Sequence, residues 1–432
     1  MKLRRELGLL EATIYGVGII LGAGIYAIIG KAAGLAGNAL WLSFLVGAVV
    51  ASFTGLSYAE LSTMFPKAAA EYIYVRKAYG SKFLAFLIGW LIIFAAIVSV
   101  SAVSLGFSGY FIDLIGKFLI LPFSENILII ITSFVLIAVL SFINLRGIKE
   151  SSKFNMVFTV IEVIGLIIVI VLGLGSFGKV NYFDSPNGIN GILSATTLIF
   201  FAYLGFEDIA NIAEETKEPR KNIPMAFVFA ILFTTLLYIL VSISAVSLAN
   251  WQDLASSPAP LAFAVSQVLG NSAYFVLSFI ALFATSNTVL ILLIVASRMM
   301  YGMSKEKSLP EQLSMLDKET RTPWVAVIAI MLFSFVFVLP SKIEIVASMT
   351  SLISFITFAA VNLSLIWLRF TMPKMKRTFR MPLNIGKFPV LAFLGLIFCV
   401  FMIFQFDLIL ILFGFGILAL GAVGYFVINK FT

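Results

Sequence analysis

The chain has 432 residues, of which 61% are hydrophobic and only 12% charged; its mean hydropathy is +1.09. A soluble domain carries about 25% charge and could not cover itself with so little polar surface, whereas a protein solvated by lipid has no such need. The net charge of +8 does not point to nucleic acid, because the basic residues sit in short loops between apolar runs rather than on one face.

Residues 1–11 are short and charged and carry no cleavable signal pattern, so the first helix is expected to be retained. A bilayer span needs about 20 apolar residues, and the hydropathy pattern predicts twelve: 10–36, 39–64, 81–112, 124–143, 151–175, 191–213, 223–248, 271–303, 323–340, 344–370, 388–406 and 408–429. The third and eighth are longer than a bilayer requires and are expected to tilt or emerge. With the N-terminus inside, all 29 basic residues fall in cytoplasmic segments except Lys31, Lys117, Lys179 and Lys342. That asymmetry sets the orientation, with both termini cytoplasmic in the cell membrane. No water-soluble domain interrupts the pattern, so residues 1–432 read as one all-α integral membrane domain.

Two spans carry helix-breaking signals. The first reads Gly16-Val17-Gly18-Ile19-Ile20-Leu21-Gly22-Ala23-Gly24, and each glycine costs about 1 kcal/mol of helix propensity against alanine. Gly18 and Gly22 fit close helix packing through small residues; Gly22 and Gly24 point to different faces and fit local unwinding better. The sixth reads Phe200-Phe201-Ala202-Tyr203-Leu204-Gly205-Phe206-Glu207-Asp208, a glycine followed directly by two carboxylates. Intramembrane carboxylates are costly and are either functional or paired between helices. Gly24 and Gly205 occupy corresponding points of spans one and six. Five spans form each unit, and five is odd, so the second unit is inverted. Interrupted segments at matching points of two halves mark a substrate site. Unwound backbone offers N–H groups to a carboxylate and C=O groups to an ammonium, a pairing that suits a zwitterionic α-amino acid.

Glu162 lies in the fifth span, about 18 Å along it at 1.5 Å per residue. It is either a coupling carboxylate or a protonated group hydrogen-bonded to a neighbouring helix. There is no histidine, so proton chemistry near neutral pH needs a carboxylate or lysine shifted by its surroundings. Glu60 and Arg298 sit near cytoplasmic helix ends and are candidates to pair as an inner gate. The acid–base run from Glu214 to Lys221 is either a solvated loop or part of that gate. Cys399 is the sole cysteine and reads as a packing or lipid-facing residue, which excludes an internal disulfide and a thiol metal cluster. No cofactor or metal is expected: there is no phosphate-binding glycine loop, and without histidine no Ser-His-Asp triad. The chain therefore does not read as an enzyme.

At these residues the chain resembles the amino acid–polyamine–organocation (APC) superfamily, close to its cationic-amino-acid-transporter-like prokaryotic branch. The resemblance is carried by the glycine-rich first span and by Phe200 to Asp208 with the following Ala213 to Pro224. Tyr58-Ala59-Glu60-Leu61 with Pro66 and Tyr72, and Ala296 to Met303 with Leu309-Pro310, agree with it. It implies ten core helices in two inverted five-helix repeats (1–175 and 191–370), broken helices one and six, and two peripheral helices (388–429). It implies a proton-coupled symporter or exchanger of amino acids, with a sodium-coupled or uncoupled amino acid/polyamine exchanger and a nutrient sensor on the same fold as alternatives. On that basis Ile20, Gly22, Ala23 and Gly24 are candidates for the substrate carboxylate, and Phe201, Ala202 and Leu204 for its ammonium, beside Gly205. Phe206 would be a gating aromatic. Proton-coupled relatives often carry a lysine near the position of Glu162; the glutamate here departs from that pattern. By resemblance Ser286 lies near the same place, to hydrogen-bond Glu162 or help hold an ion.

Overall fold

With no water to satisfy peptide groups, a chain in lipid must close its backbone hydrogen bonds within each segment, and the apolar runs accordingly form helices. The computed structural model describes residues 5–116, 124–257, 259–339 and 343–431. Expectations that fall on Lys2, Arg4, Lys117 and Lys342 lie outside the described residues.

The helices are α1 (Leu9–Ala36), α2 (Leu40–Met64), α3 (Ala70–Tyr79), α4 (Lys82–Gly116), α5 (Glu125–Leu145), α6 (Ile148–Leu174), α7 (Gly188–Tyr203), α8 (Pro219–Leu248), α9 (Trp251–Ser256), α10 (Pro260–Leu269), α11 (Asn271–Lys305), α12 (Trp324–Val338), α13 (Ile343–Thr371), α14 (Val390–Ile403) and α15 (Leu408–Phe431). Each of the twelve expected spans has its helix, the sixth being α7 plus a 3-10 segment, Phe206–Ala210. Ten stretches among the described residues are long and apolar enough to cross a membrane, while α12 and α14 are apolar but shorter. The protein is an all-α, multi-pass membrane protein.

Three short helices were not expected from hydropathy: α3, α9 and α10. The α3 helix starts after Ala69 in the left-handed region (φ 56°) and stops at Gly80, also left-handed (φ 68°). Its charged and tyrosine residues give it almost no net hydropathy, yet Glu71, Tyr72, Ile73, Tyr74 and Val75 are all buried. It therefore packs against α4 and α13 as a short connecting helix between α2 and α4. At the same face the N-terminal strand-like residues join the loop after the 3-10 segment. Glu6 and Leu7 N–H groups donate to the Glu215 carbonyl at 2.9 and 3.1 Å, and Lys217 N–H returns a bond to Leu7. A two-residue hairpin, Asn384–Ile385 with Phe388–Pro389, precedes α14.

Candidate functional site

The two expected breaks are present, and they differ in extent. In α1 the helical path fails at Gly22 alone (φ −24°, ψ −150°). A Cβ on Gly22 would collide with the Thr288 hydroxyl of α11. The bare glycine thus admits that hydroxyl, which accepts the Ala23 N–H at 2.9 Å and caps the second half of the helix. In the sixth segment the break is wider. Leu204 is extended (φ −59°, ψ 145°), Gly205 is left-handed (φ 110°), and only a 3-10 stretch follows. Left-handed backbone strains any residue with a Cβ, so glycine is required at 205.

The breaks lie against each other. A Cβ on Gly24 would fall 2.5 Å from the Ala202 Cα, so the backbones of α1 and α7 meet there. The freed carbonyls of Ile20 and Ala202 both accept the Tyr238 hydroxyl of α8, the second at 2.8 Å. One fully buried tyrosine therefore ties together the carbonyl ends of both breaks.

A cavity of about 60 Å³ opens along this junction. Ile19, Ile20, Ala23 and Gly24 line it from α1, and Phe201, Leu204, Gly205, Glu207 and Asp208 from the sixth segment. At 10–15 Å³ per ordered water it holds about four to six. Of the expected substrate residues, Gly22 and Ala202 shape the breaks without facing the cavity. Phe206 does neither. It is fully buried, edge-on to Tyr58 at 6.1 Å and 5.2 Å from Phe358, because Gly205 turns the chain so that residue 206 enters an aromatic core. The aromatic that faces the cavity is Phe201.

Glu162 is fully buried on α6 and does not line the cavity. Its carboxylate oxygens have no partner within hydrogen-bonding criteria, with the Asn287 amide beside them, and Tyr26 donates to its backbone carbonyl at 2.9 Å. The expected bond from Ser286 does not form; that hydroxyl turns back to the Leu282 carbonyl at 2.7 Å, and the next residue, Asn287, faces α6 instead. Asn287 joins Asn155 (2.9 Å) and Thr159 (3.2 Å) of α6. A Cβ on Gly18 would meet these three side chains, so they are the groups of α6 and α11 that clasp the first half of α1.

The expected Glu60–Arg298 pair is also absent. Glu60 on α2 faces α13 and the loop beyond it, where Arg369 (2.5 Å), Arg377 (3.0 Å) and the Met381 N–H (3.0 Å) converge on it. Arg298 on α11 faces α5 and the loop after the sixth segment. It donates to both oxygens of Glu215 (3.2 and 3.3 Å) and to Asn144 (2.8 Å). Glu214–Lys221 is thus partly structural: Glu215 is buried in an ion pair while Lys217 and Glu218 are exposed. Thr288, Tyr238 and Asn155 were missed. Four polar residues in a row, Thr285-Ser286-Asn287-Thr288, inside an apolar helix were the available signal for the first.

Broken helices meeting around a small buried cavity, in a bundle of membrane-spanning length, define a membrane transporter. The amino acid permease family matches residues 7–426, and the chain belongs to that family. It is 29% identical to the branched-chain amino acid permease BcaP of Bacillus subtilis over 99% of this chain and 94% of that one. It is also 29% identical to the methylthioribose transporter of the same organism (88% and 85% covered). It is 27% identical to cationic amino acid transporter 1 of Arabidopsis thaliana (82% and 61% covered). The protein is a membrane amino acid transporter in a lipid bilayer, and not an enzyme.

Proposed function

We propose that this chain is a proton-coupled symporter or exchanger of α-amino acids, working by alternating access in the cell membrane with both termini cytoplasmic. The observation that carries the reading is the shared cavity of the two breaks. The Ala23 and Gly24 N–H groups at the start of a half-helix suit the substrate carboxylate. The Ile20 and Ala202 carbonyls suit its ammonium. Thr288 accepts the Ala23 N–H and Tyr238 bonds both carbonyls, so a zwitterion exchanges these bonds rather than filling bare ones. The relatives' names span branched-chain and cationic amino acids, in keeping with a common backbone site and varied side-chain contacts. We read spans one to five and six to ten as inverted repeats over 1–175 and 191–370, with α14 and α15 peripheral. Each unit opens with a broken helix.

For coupling, Glu162 is a buried carboxylate within a span and without a positive partner among the described residues, and a charge there is costly. A proton taken from the acidic side and released on the other would cross with each cycle. Glu60 and Arg298 close the cytoplasmic side in separate ion pairs. Uptake of labelled amino acids into proteoliposomes, with and without a pH gradient, tests the scheme. Glu162→Gln is expected to keep exchange and lose uphill uptake. Sodium dependence without pH dependence would replace the proton by sodium; accumulation by Glu162→Gln on a pH gradient would leave Glu162 structural.

A further inference from the structure

The end of the bundle that holds the arginine pairs has a second cavity, of about 470 Å³, apart from the helix breaks. Arg5, Arg220 and Lys221 line it, with Pro66, Glu218 and Thr378 on its walls. The three cations are exposed, and among the described residues none of them is in an ion pair. The Thr378 hydroxyl donates to the Arg220 carbonyl at 2.8 Å, which fastens the segment after α13 to the start of α8 and builds the far wall. Three cations outweigh the single carboxylate of Glu218, so the cavity favours an anion. A groove of about 420 Å³ lies between α2 and α8, with Val49, Phe53 and Leu56 on one side and Val228, Ile231 and Leu232 on the other. The same two helices bound both spaces, since Pro66 follows α2 and residues 219–221 open α8. Helix positions i, i+4, i+7 and i+11 share a face. On α8 these are Lys221, Met225, Val228 and Leu232, all exposed. The basic cavity and the apolar groove thus lie on one stripe, about 10 Å apart at 1.5 Å per residue.

We infer that this stripe binds one anionic glycerophospholipid, its phosphate against Arg5, Arg220 and Lys221 and an acyl chain in the α2–α8 groove. Charge complementarity selects this occupant. Basic side chains at the end of a membrane helix attract anionic headgroups, and the groove directly below them suits a hydrocarbon chain. The basic cavity has room for roughly 30–45 waters, so a phosphoglycerol headgroup fits where a bare phosphate would leave most of the space to water. A zwitterionic headgroup would bring its own ammonium beside three cations. A helix from a second copy of the chain would cover the groove but leave the cations without an anion.

Native mass spectrometry of the delipidated full chain, titrated with phosphatidylglycerol, phosphatidylcholine or inorganic phosphate, tests this. One phosphatidylglycerol per chain is expected, bound about tenfold more tightly than phosphatidylcholine and not displaced by inorganic phosphate. Arg220→Gln combined with Lys221→Gln is expected to weaken phosphatidylglycerol about tenfold and to bring it level with phosphatidylcholine. Val228→Trp, which fills the groove and leaves the cations in place, is expected to weaken it by a similar factor. Leu332→Trp, on the exposed face of α12, is expected to change nothing. All these positions are exposed, and each affinity is read from the folded chain's own mass. Equal binding of the two lipids, or affinities unchanged in both the basic and the groove variants, overturns the inference. So does displacement by inorganic phosphate, which would leave an ion site alone. A mass of two chains that carries no lipid would assign the groove to a second copy and overturn it as well. Each of these results leaves the amino acid site standing.

Discussion

At Gly24 an added methyl group would lie 2.5 Å from the Ala202 Cα and 3.2 Å from its nitrogen. Both are backbone atoms, which cannot swing aside as a side chain can. Gly24→Ala must therefore push α1 off α7, an overpacking strain of about 1–3 kcal/mol, at the point where the two breaks share a cavity. Uptake by protein present in the membrane at normal levels is expected to fall at least tenfold. Gly109→Ala, with nothing within 4 Å of the new methyl, is expected to leave it unchanged. Equal uptake by the two variants would show that the α1–α7 approach is irrelevant to the site. Thr288→Val keeps the shape of the cap and removes its oxygen. The Ala23 N–H then loses a bond worth about 1 kcal/mol, and it becomes freer to meet a substrate carboxylate. The apparent affinity is expected to shift by about threefold to tenfold, measured as the half-saturating concentration for exchange. An unchanged value would remove the Ala23 N–H from the binding site.

Among the elements, α3 has the most consequence for gating, because it joins the sixth segment through two bonds. Asn211 Oδ1 accepts the Ala70 N–H at 2.9 Å, and Asn211 Nδ2 donates to Glu71 at 3.4 Å. Burial pushes the Glu71 carboxyl up to about 7, against the pull of the Asn211 amide. It is faced by Tyr58 of α2, by Tyr74 of its own helix, and by Glu207 and Asp208 of the 3-10 segment. No cation is among these groups. Below about pH 7 Glu71 is neutral and the contact is stable. As pH rises through 7 its ionised form is buried beside other carboxylates, and the closed contact weakens. Exchange is therefore expected to accelerate as the pH on the α3 side is raised from 6 to 8, and Glu71→Gln to flatten that profile. A Glu71→Gln profile as steep as the wild type would assign the dependence elsewhere. None of this was legible in hydropathy, since α3 has none and its partners lie about 140 residues away. The long apolar helices and both glycine breaks were legible, because lipid forces regular structure except where the backbone itself is used. The pairing of Glu60 and Arg298 was not. Charges near helix ends reveal that partners exist, while the direction each helix face points decides which.

For the whole molecule, the distribution of charge is the main guide to orientation. The loops at the ends of α2, α5, α11 and α13 carry most of the arginine and lysine, whereas the loop before α7 holds only Lys179. Positive residues are retained on the cytoplasmic side during insertion. The face that holds Glu60 with Arg369 and Arg377, and Arg298 with Glu215, should therefore be the inner one. The sequence supplies a clean way to test this. Cys399 is the chain's one cysteine; it is fully buried, with its sulfur 4.0 Å from the Thr54 hydroxyl. The wild-type chain should thus stay dark to a membrane-impermeant thiol reagent added to intact cells, and single cysteines can be placed without first removing the native one. A cysteine replacing Lys376, in the exposed segment between α13 and the hairpin, is expected to be labelled only after the membrane is permeabilised. A cysteine replacing Asn187, exposed at the start of α7, is expected to be labelled in intact cells. The reverse pattern would invert the protein in the membrane and place the arginine pairs outside. Labelling of both from the same side would mean an even number of crossings between them. The present architecture puts residues 187 and 376 on opposite faces only if α7, α8, α11, α12 and α13 all cross, and one of those five would have to be reassigned as a helix that does not span. The 15-residue α12 is the one whose length makes it the first candidate.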